Sequence, residues 1–230
     1  KMSEKRADRD AKEGVVIALV NDAQNKGVVV RLSCETDFVA KNEDFVNLTK
    51  EIAALALDKF PANKEELYKL ELNGVTLETV MAEQVAKIGE KIEISDYQTL
   101  EAPLVTSYIH MGNKAGVLVG LNIADSKYVE TGRDVAMQVA AMKPVALDKD
   151  DVPQSVIDKE VEIGMEIARQ EGKTEDMLEK IAQGKLNKFF KESTLVNQVF
   201  VKDGKISVAE YVKSKNPDLK VTAFRHIKLG

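Results

Sequence analysis

Two kinds of hydrophobic pattern alternate along this chain. Val15-Val16-Ile17-Ala18-Leu19-Val20 and Gly27-Val28-Val29-Val30-Arg31-Leu32 are short β-branched runs, separated by the polar Asn21-Asp22-Ala23-Gln24-Asn25-Lys26. Runs of this kind bounded by turn residues predict a β-hairpin. Phe45, Leu48, Ile52, Leu55 and Ala56 then recur at helical spacing, with Ala53 and Ala54 small enough for close approach. Asn42 is placed to cap this helix, with Glu43 and Asp44 in the first turn where the helix dipole favours acid. Pro61 closes the element. Lys64–Leu72 and Leu77–Lys87 predict two further helices split by Asn73-Gly74, and Ile88-Gly89-Glu90-Lys91-Ile92 leads into a strand around Ile92-Glu93-Ile94.

The pattern then repeats. Leu104–His110 and Gly116–Leu121 predict a second hairpin across Met111-Gly112-Asn113-Lys114-Ala115, and a helix follows with Val135, Val139 and Met142 on one face. Gly27–Leu32 matches Gly116–Leu121 at an offset of 89 residues, and Leu48, Ile52 and Leu55 match Val135, Val139 and Met142 at 87. Hairpin, loop and helix thus recur in the same order, as in a duplicated α+β unit. Leu147–Asp151 is an acidic break, and Pro153 suits a helix first turn. Val156, Ile157, Val161, Ile163, Ile167 and Ala168 form a stripe stopped at Glu171-Gly172-Lys173. Thr174 is placed to cap a partner helix bearing Leu178, Ile181, Ala182, Leu186, Phe189 and Phe190. Two such helices joined by a short turn make a helical hairpin, which at this length tends to project as a coiled coil. Beyond it, Leu195–Val201 reads as a strand, Asp203-Gly204 as a turn, Val208, Tyr211 and Val212 as a helix, and Lys220–Leu229 as a terminal strand.

Between the first hairpin and its helix lies Cys34-Glu35-Thr36-Asp37-Phe38-Val39-Ala40-Lys41, a strand-to-helix connection of the kind that runs over a surface and often carries function. A Phe directly after an Asp at a solvated bend is either folded back on the core or offered to a partner, and the residues alone leave both open. The extra loop residues and the Asp37-Phe38 pair belong to the first copy of the repeat only.

Composition narrows the chemistry. With 44% hydrophobic and 31% charged residues the chain is an ordinary globular one, and no window approaches a membrane span. Lys1–Arg6 has no apolar segment behind it, so it is not a secretory signal. A single cysteine, Cys34, fits a reducing cytoplasm, and a net charge of −5 with mixed signs argues against nucleic acid. Two histidines rule out a multi-His metal site, and no phosphate-binding or dinucleotide fingerprint is present. A thiol hydrolase built on Cys34 and His110 lacks any visible carboxylate to orient the His. Cys34 reads more simply as a small buried residue.

Glu35-Thr36-Asp37-Phe38-Val39-Ala40-Lys41 resembles the signature of the elongation factor Ts family, the guanine-nucleotide exchange factors of bacterial elongation factor Tu. Ala86-Lys87-Ile88-Gly89-Glu90-Lys91-Ile92 is similar to a second family block, and Tyr108-Ile109-His110 with Gly116-Val117-Leu118-Val119 to a third. Gly184-Lys185-Leu186-Asn187-Lys188-Phe189-Phe190 followed by Phe200-Val201-Lys202-Asp203 resembles the end of the family's coiled coil and its return. Together the blocks run in family order from about Gly14 to Gly230.

The resemblance implies an α+β fold of two related subdomains, each an antiparallel β-sheet with helices, plus an inserted antiparallel coiled-coil hairpin. It sets a charged linker over 1–13, an N-subdomain over 14–100, the first part of a C-subdomain over 101–146, the hairpin over 147–193, and the C-subdomain's second part over 194–230. Relative to the family pattern, a small N-terminal domain of the ubiquitin-associated type and an extra C-terminal helix are expected to be missing. The implied activity is non-enzymatic and cytoplasmic, with elongation factor Tu as partner and no cofactor, metal, membrane or direct nucleic-acid contact. Self-association through core or coiled coil is a further expectation. Asp37 and Phe38 are implied to push into the partner and disturb its Mg²⁺ site, with Thr36 and Val39 holding the loop. Ile88, Gly89 and His110 are implied as further contacts.

Overall fold

The structure, a computed structural model, describes residues 9–230. Of the stretch expected as a linker, 1–8 lie outside the described residues, and Glu13 already belongs to the first strand. The protein is of the α+β class with antiparallel sheets. It divides into two compact units, one running to Ala140 and resuming over Thr222–Gly230, the other spanning Ala141–Val221.

In the first unit, β1 (Glu13–Val20) and β2 (Lys26–Cys34) pair antiparallel from Glu13 opposite Cys34 to Val20 opposite Gly27. Asn21 builds the turn between them, its Oδ1 accepting from the N–H groups of Asn25 and Lys26, both at 3.0 Å. On the other edge of β2 lies β5 (Glu93–Glu101), with a bulge where the register slips opposite Arg31 and Leu32. The second sheet has β6 (Leu104–His110), β7 (Ala115–Leu121) and β8 (Val221–Lys228) in that order.

The unbroken apolar runs of β1 and β2 have a direct cause: both faces of their sheet are covered. Val15, Ile17, Val28, Val30 and Leu32 point to one side, where Phe45, Ile52, Ala53, Ala56, Leu77 and Met81 cover them. Val16, Ala18 and Val29 point to the other, against Val105, Leu118 and Ile227 of the second sheet. Two glycines let the sheets approach. A methyl group at Gly27 would lie 2.9 Å from Leu118 and Val105, and one at Gly116 would lie 2.9 Å from Val16. The sequence repeat aligns these glycines, and each faces side chains of the opposite sheet.

The helices of this unit are α1 (Asp37–Lys41), α2 (Glu43–Lys59), α3 (Lys64–Tyr68), α4 (Leu77–Ile88) and α5 (Val129–Met142). Along α2, Phe45, Ile52, Ala53 and Ala56 are buried as expected, but Ala54 faces solvent and Thr49 takes a buried place instead. Thr49 is tolerated there because its hydroxyl donates to the Phe45 carbonyl at 2.9 Å. Lys64–Leu72, expected as one helix, is helical only to Tyr68. Glu71–Leu72 (β3) pairs instead with Val75–Thr76 (β4) around Asn73-Gly74, whose φ angles of 54° and 81° suit a two-residue hairpin. On α5, Val135 and Val139 are buried as expected, whereas Met142, at the last turn, is 47% exposed.

The second unit carries α6 (Gln154–Gln170), α7 (Glu175–Ser193) and α8 (Val208–Lys215). Pro153 precedes α6 at the capping position rather than inside it. Helix α6 ends in a paired stop at Gly172, φ 81°, where the Lys173 N–H reaches the Ala168 carbonyl and the Gly172 N–H reaches that of Arg169, both at 3.0 Å. Thr174 stands at the start of α7 but its side chain makes no capping bond. The two helices meet through small residues: Gly164 and Ala168 are buried on α6, Leu178, Ala182 and Leu186 on α7. Ile163 and Ile167, expected in the buried stripe, are instead exposed, since the Gly164–Ala168 seam takes the contact.

The strand expected over Leu195–Val201 is absent. Leu195–Asn197 is a single 3₁₀ turn whose Leu195 and Val196 N–H groups donate to the carbonyls of Ala146 (2.9 Å) and Leu147 (3.1 Å). Only Val199 makes a bridge, with Ser207, whose hydroxyl caps α8 by accepting from the Glu210 N–H at 3.1 Å. Phe200 stacks on Tyr211 with ring centres 4.0 Å apart. Among the described residues no helix is long and apolar enough to cross a membrane.

Candidate functional site: an exposed phenylalanine on a clamped turn

Strand β2 ends at Cys34, and the chain bends into α1 within two residues. Thr36 has extended backbone angles (φ −117°, ψ 151°) and caps α1, its Oγ1 accepting from the Val39 N–H at 3.4 Å. Asp37 occupies the first turn, where the positive end of the helix favours a carboxylate, and pairs with Lys41 at 3.3 Å. The connection expected as an open bend is therefore a short helix. It stops at Asn42, whose N–H still donates to the Val39 carbonyl at 3.1 Å. The Asn42 side chain at once begins α2, accepting from the N–H groups of Asp44 (2.9 Å) and Phe45 (3.3 Å), as expected of it.

This double use of Asn42 decides where each side chain of α1 points. Val39 and Ala40 pack against the core beneath the first sheet. With about 100° between successive helical residues, the side chain before them turns outward. Phe38 is 84% exposed, so it does not fold back on the core. Ile88, at the end of α4, packs partly on the same core. Phe38, Val39, Asn42, Asp44 and Phe45 on one bank and Gln84, Lys87 and Ile88 on the other line a groove of about 340 Å³.

Gly89 ends α4 in the left-handed region, φ 82°, with its N–H on the Val85 carbonyl at 2.9 Å. Among the described residues nothing beyond its chain neighbours lies within 4 Å of where a β-carbon would stand, so among them the glycine serves the cap and not a close approach. His110 lines no part of the groove. It closes β6, its Nδ1 3.1 Å from the Tyr108 hydroxyl, next to the exposed Met111.

The residues that bind these pieces together are Glu35 and Glu90, neither of which stands out in the sequence. Glu90 Oε1 accepts from the N–H groups of Glu35 (2.9 Å) and Thr36 (3.0 Å), and its Oε2 accepts from the Thr36 hydroxyl at 2.7 Å. In return Glu35 Oε1 accepts from the Lys91 N–H at 2.7 Å, and Arg9 approaches the same oxygen at 3.4 Å. A pair of acids 55 residues apart gives no local signal in a sequence.

Cys34 beside this clamp is no nucleophile. It is fully buried, its thiol donates to the Thr36 carbonyl at 3.3 Å, and burial, with Glu90 and Glu13 nearby, pushes its pKa up to about 12. At neutral pH almost none of it is thiolate, the form that reacts. No group of acidic, His or Cys side chains among the described residues is arranged to hold a metal.

The profile of the family described as Elongation factor TS matches residues 35–230 of this chain. Elongation factor Ts of Christiangramia forsetii is 51% identical over 230 residues, covering all of this chain and 83% of the relative. The protein of the same name from Amoebophilus asiaticus is 48% identical over 231 residues, and that of Hydrogenobaculum sp. 41% over 223. The matched residues take in the Thr36–Val39 turn, the Ile88–Gly89 cap and the two acids that join them. The chain belongs to the elongation factor Ts family.

Proposed function

We propose that this chain is a guanine-nucleotide exchange factor for elongation factor Tu, acting in the cytoplasm on the GDP-bound and nucleotide-free forms and performing no catalytic chemistry of its own. The observation that carries the reading is the exposure of Phe38 on a turn that is capped, clamped and packed from behind. A large apolar side chain held out in water by a rigid support is what a buried anchor of a protein interface looks like before its partner arrives. Asp37 and Phe38 enter the partner, Phe38 wedging between side chains of its nucleotide-binding domain, while Thr36 and Val39 hold the wedge. Ile88 and Gly89, across the groove, and His110 supply further contacts.

Exchange follows from linkage. A factor that binds the distorted, nucleotide-poor state more tightly weakens nucleotide affinity by the same factor. The lever can be small, because Mg²⁺ between nucleotide phosphates demands near-ideal octahedral geometry and a slight helix shift spoils it.

The domain division belongs to the same proposal: subdomains over 14–100 and over 101–146 with 194–230, and a coiled-coil hairpin over 147–193. Two hairpin-plus-helix units whose glycines face each other's sheet support the duplication. Exposed Ile163, Ile167 and Met177 favour self-association through the helical pair as a subsidiary reading. Stopped-flow release of a fluorescent GDP analogue from elongation factor Tu tests the main one. Release accelerates with chain concentration to a plateau; release at the spontaneous rate with the chain saturating contradicts it.

A further inference from the structure

Helix α1 needs a partner for the backbone at its start, and the sequence does not supply one locally. In a capping box, the first residue accepts from the third helical N–H, and the third residue's acid reaches back to the first N–H. Thr36 makes the first half of this arrangement with Val39. Position Val39 cannot make the second half, because its apolar side chain packs on the core. The missing carboxylate comes from Glu90, which takes the Thr36 N–H at 3.0 Å, the Glu35 N–H at 2.9 Å and the Thr36 hydroxyl at 2.7 Å. Hydrogen bonds to an ionised acceptor are roughly twice as strong as neutral ones, and these three converge on one half-buried group.

Glu90 directly follows Gly89, so these bonds tie α1 to the end of α4. Glu35 closes the tie from the other side through the Lys91 N–H. The two banks of the groove, one with Phe38 and one with Ile88, are thereby held at a fixed separation.

We propose that Glu90 is a positioning residue for nucleotide exchange: its carboxylate completes the cap of α1 from a distant segment and fixes Phe38 relative to Ile88 and Gly89, so that the wedge meets the partner already ordered. This rests on the exchange function proposed above. This role requires no contact between Glu90 and nucleotide or Mg²⁺. It acts by sparing the complex the ordering of a loop, which otherwise subtracts from binding.

The test uses Glu90→Ala, Glu90→Gln and Phe38→Ala, alone and combined. In the free chain, amide hydrogen exchange at Glu35 and Thr36 should speed up at least tenfold in Glu90→Ala. It should change little in Glu90→Gln, whose amide oxygen still accepts both N–H groups while its NH₂ donates to the Thr36 hydroxyl. In GDP-release experiments, Glu90→Ala should lower the plateau rate about tenfold, and Glu90→Gln should stay within about threefold of the parent. In the Phe38→Ala background the Glu90→Ala loss should vanish, since no wedge is left to position. Unchanged amide exchange in Glu90→Ala, or a full tenfold loss persisting without Phe38, would overturn the proposal. If a thermal melt shows Glu90→Ala unfolded, Thr36→Val, which removes the hydroxyl's bonds to Glu90 and to the Val39 N–H but leaves both backbone N–H bonds to Glu90, should give an intermediate loss. Should the parent chain fail to accelerate release, the exchange reading falls by itself, and the amide data alone decide whether Glu90 holds the turn.

Discussion

Gly89 offers a test in which two roles predict opposite rankings. The residue ends α4 with φ 82°, and its N–H remains bonded to the Val85 carbonyl. Since among the described residues nothing beyond the chain neighbours lies within 4 Å of a β-carbon there, Gly89→Ala meets no clash with them, and its cost is that of the left-handed backbone alone. That cost is about 1–2 kcal/mol for an ordinary L-residue. For a chain of this size each kcal/mol lowers the melting temperature by about 2–4 °C, so a fall of roughly 2–8 °C is expected. Gly89→Asn should cost about half as much, because Asn tolerates the left-handed region. Urea titration at constant m-value measures both. In the complex the order should reverse. If Gly89 lets the partner's backbone come close, the larger Asn side chain impairs GDP release more than Ala does, although it harms stability less. A Gly89→Ala protein as stable as the parent, or one less stable by more than about 3 kcal/mol, would refute the cap argument. Identical release rates for Ala and Asn would refute the partner approach.

Two further outcomes follow from groups away from the groove. The Cys34 thiol has its folded pKa raised from 9.0 to about 12, and Tyr68 is likewise raised to about 12 by burial, so both are bound to stability at high pH. Raised folded values mean that the unfolded chain loses its protons first; stability is full below pH 9 and falls as pH climbs from there toward 12. Denaturation midpoints between pH 8 and 11 should show this fall, shallower in Cys34→Ala, and thiol reagents should react only after denaturation. Gly116→Ala places a methyl 2.9 Å from Val16 and 3.0 Å from Val29, both stiff at χ1, and should cost about 1–3 kcal/mol by overpacking; a neutral result would mean that the sheets do not meet there as described.

What could be read from the amino acids, and what could not, divides on physical lines. Strands β1, β2 and β7 were legible because both-face burial leaves unbroken apolar runs, and the Asn42 cap was legible because capping is local. Short helix α1 was not, since five residues are too few to show a period. The Asn73-Gly74 pair carried a hairpin signal that the helical look of Lys64–Leu72 hid. Leu195–Val201 has strand composition, but its backbone donors are taken by Ala146 and Leu147 before any sheet can form. In the helical pair, Ala168 of the expected stripe is buried, but its large Ile163 and Ile167 are not, because close packing selects Gly164 in their place. The exposed Phe38 was singled out by its neighbourhood, and the resemblance of its motif chose between the alternatives. The Glu35–Glu90 clamp that supports it exists only in three dimensions.

The central claim is that Phe38 is held out for a partner and contributes nothing to the fold. An aromatic side chain carries about 150–250 Å² of surface, and with 84% of Phe38 free, its full burial is worth about 4 kcal/mol at 25 cal/mol per Å². That is a ceiling, and an interface anchor of this type costs at least about 2 kcal/mol when truncated, a loss of roughly 30-fold. The decisive measurement compares the parent chain with Phe38→Ala in GDP-analogue release from elongation factor Tu, alongside a urea titration of each. The account predicts a loss of stimulated release between roughly 30-fold and 1,000-fold, with stability unchanged to within about 0.5 kcal/mol. Equal stimulation by Phe38→Ala, or a loss of release matched by a comparable loss of stability, would contradict it.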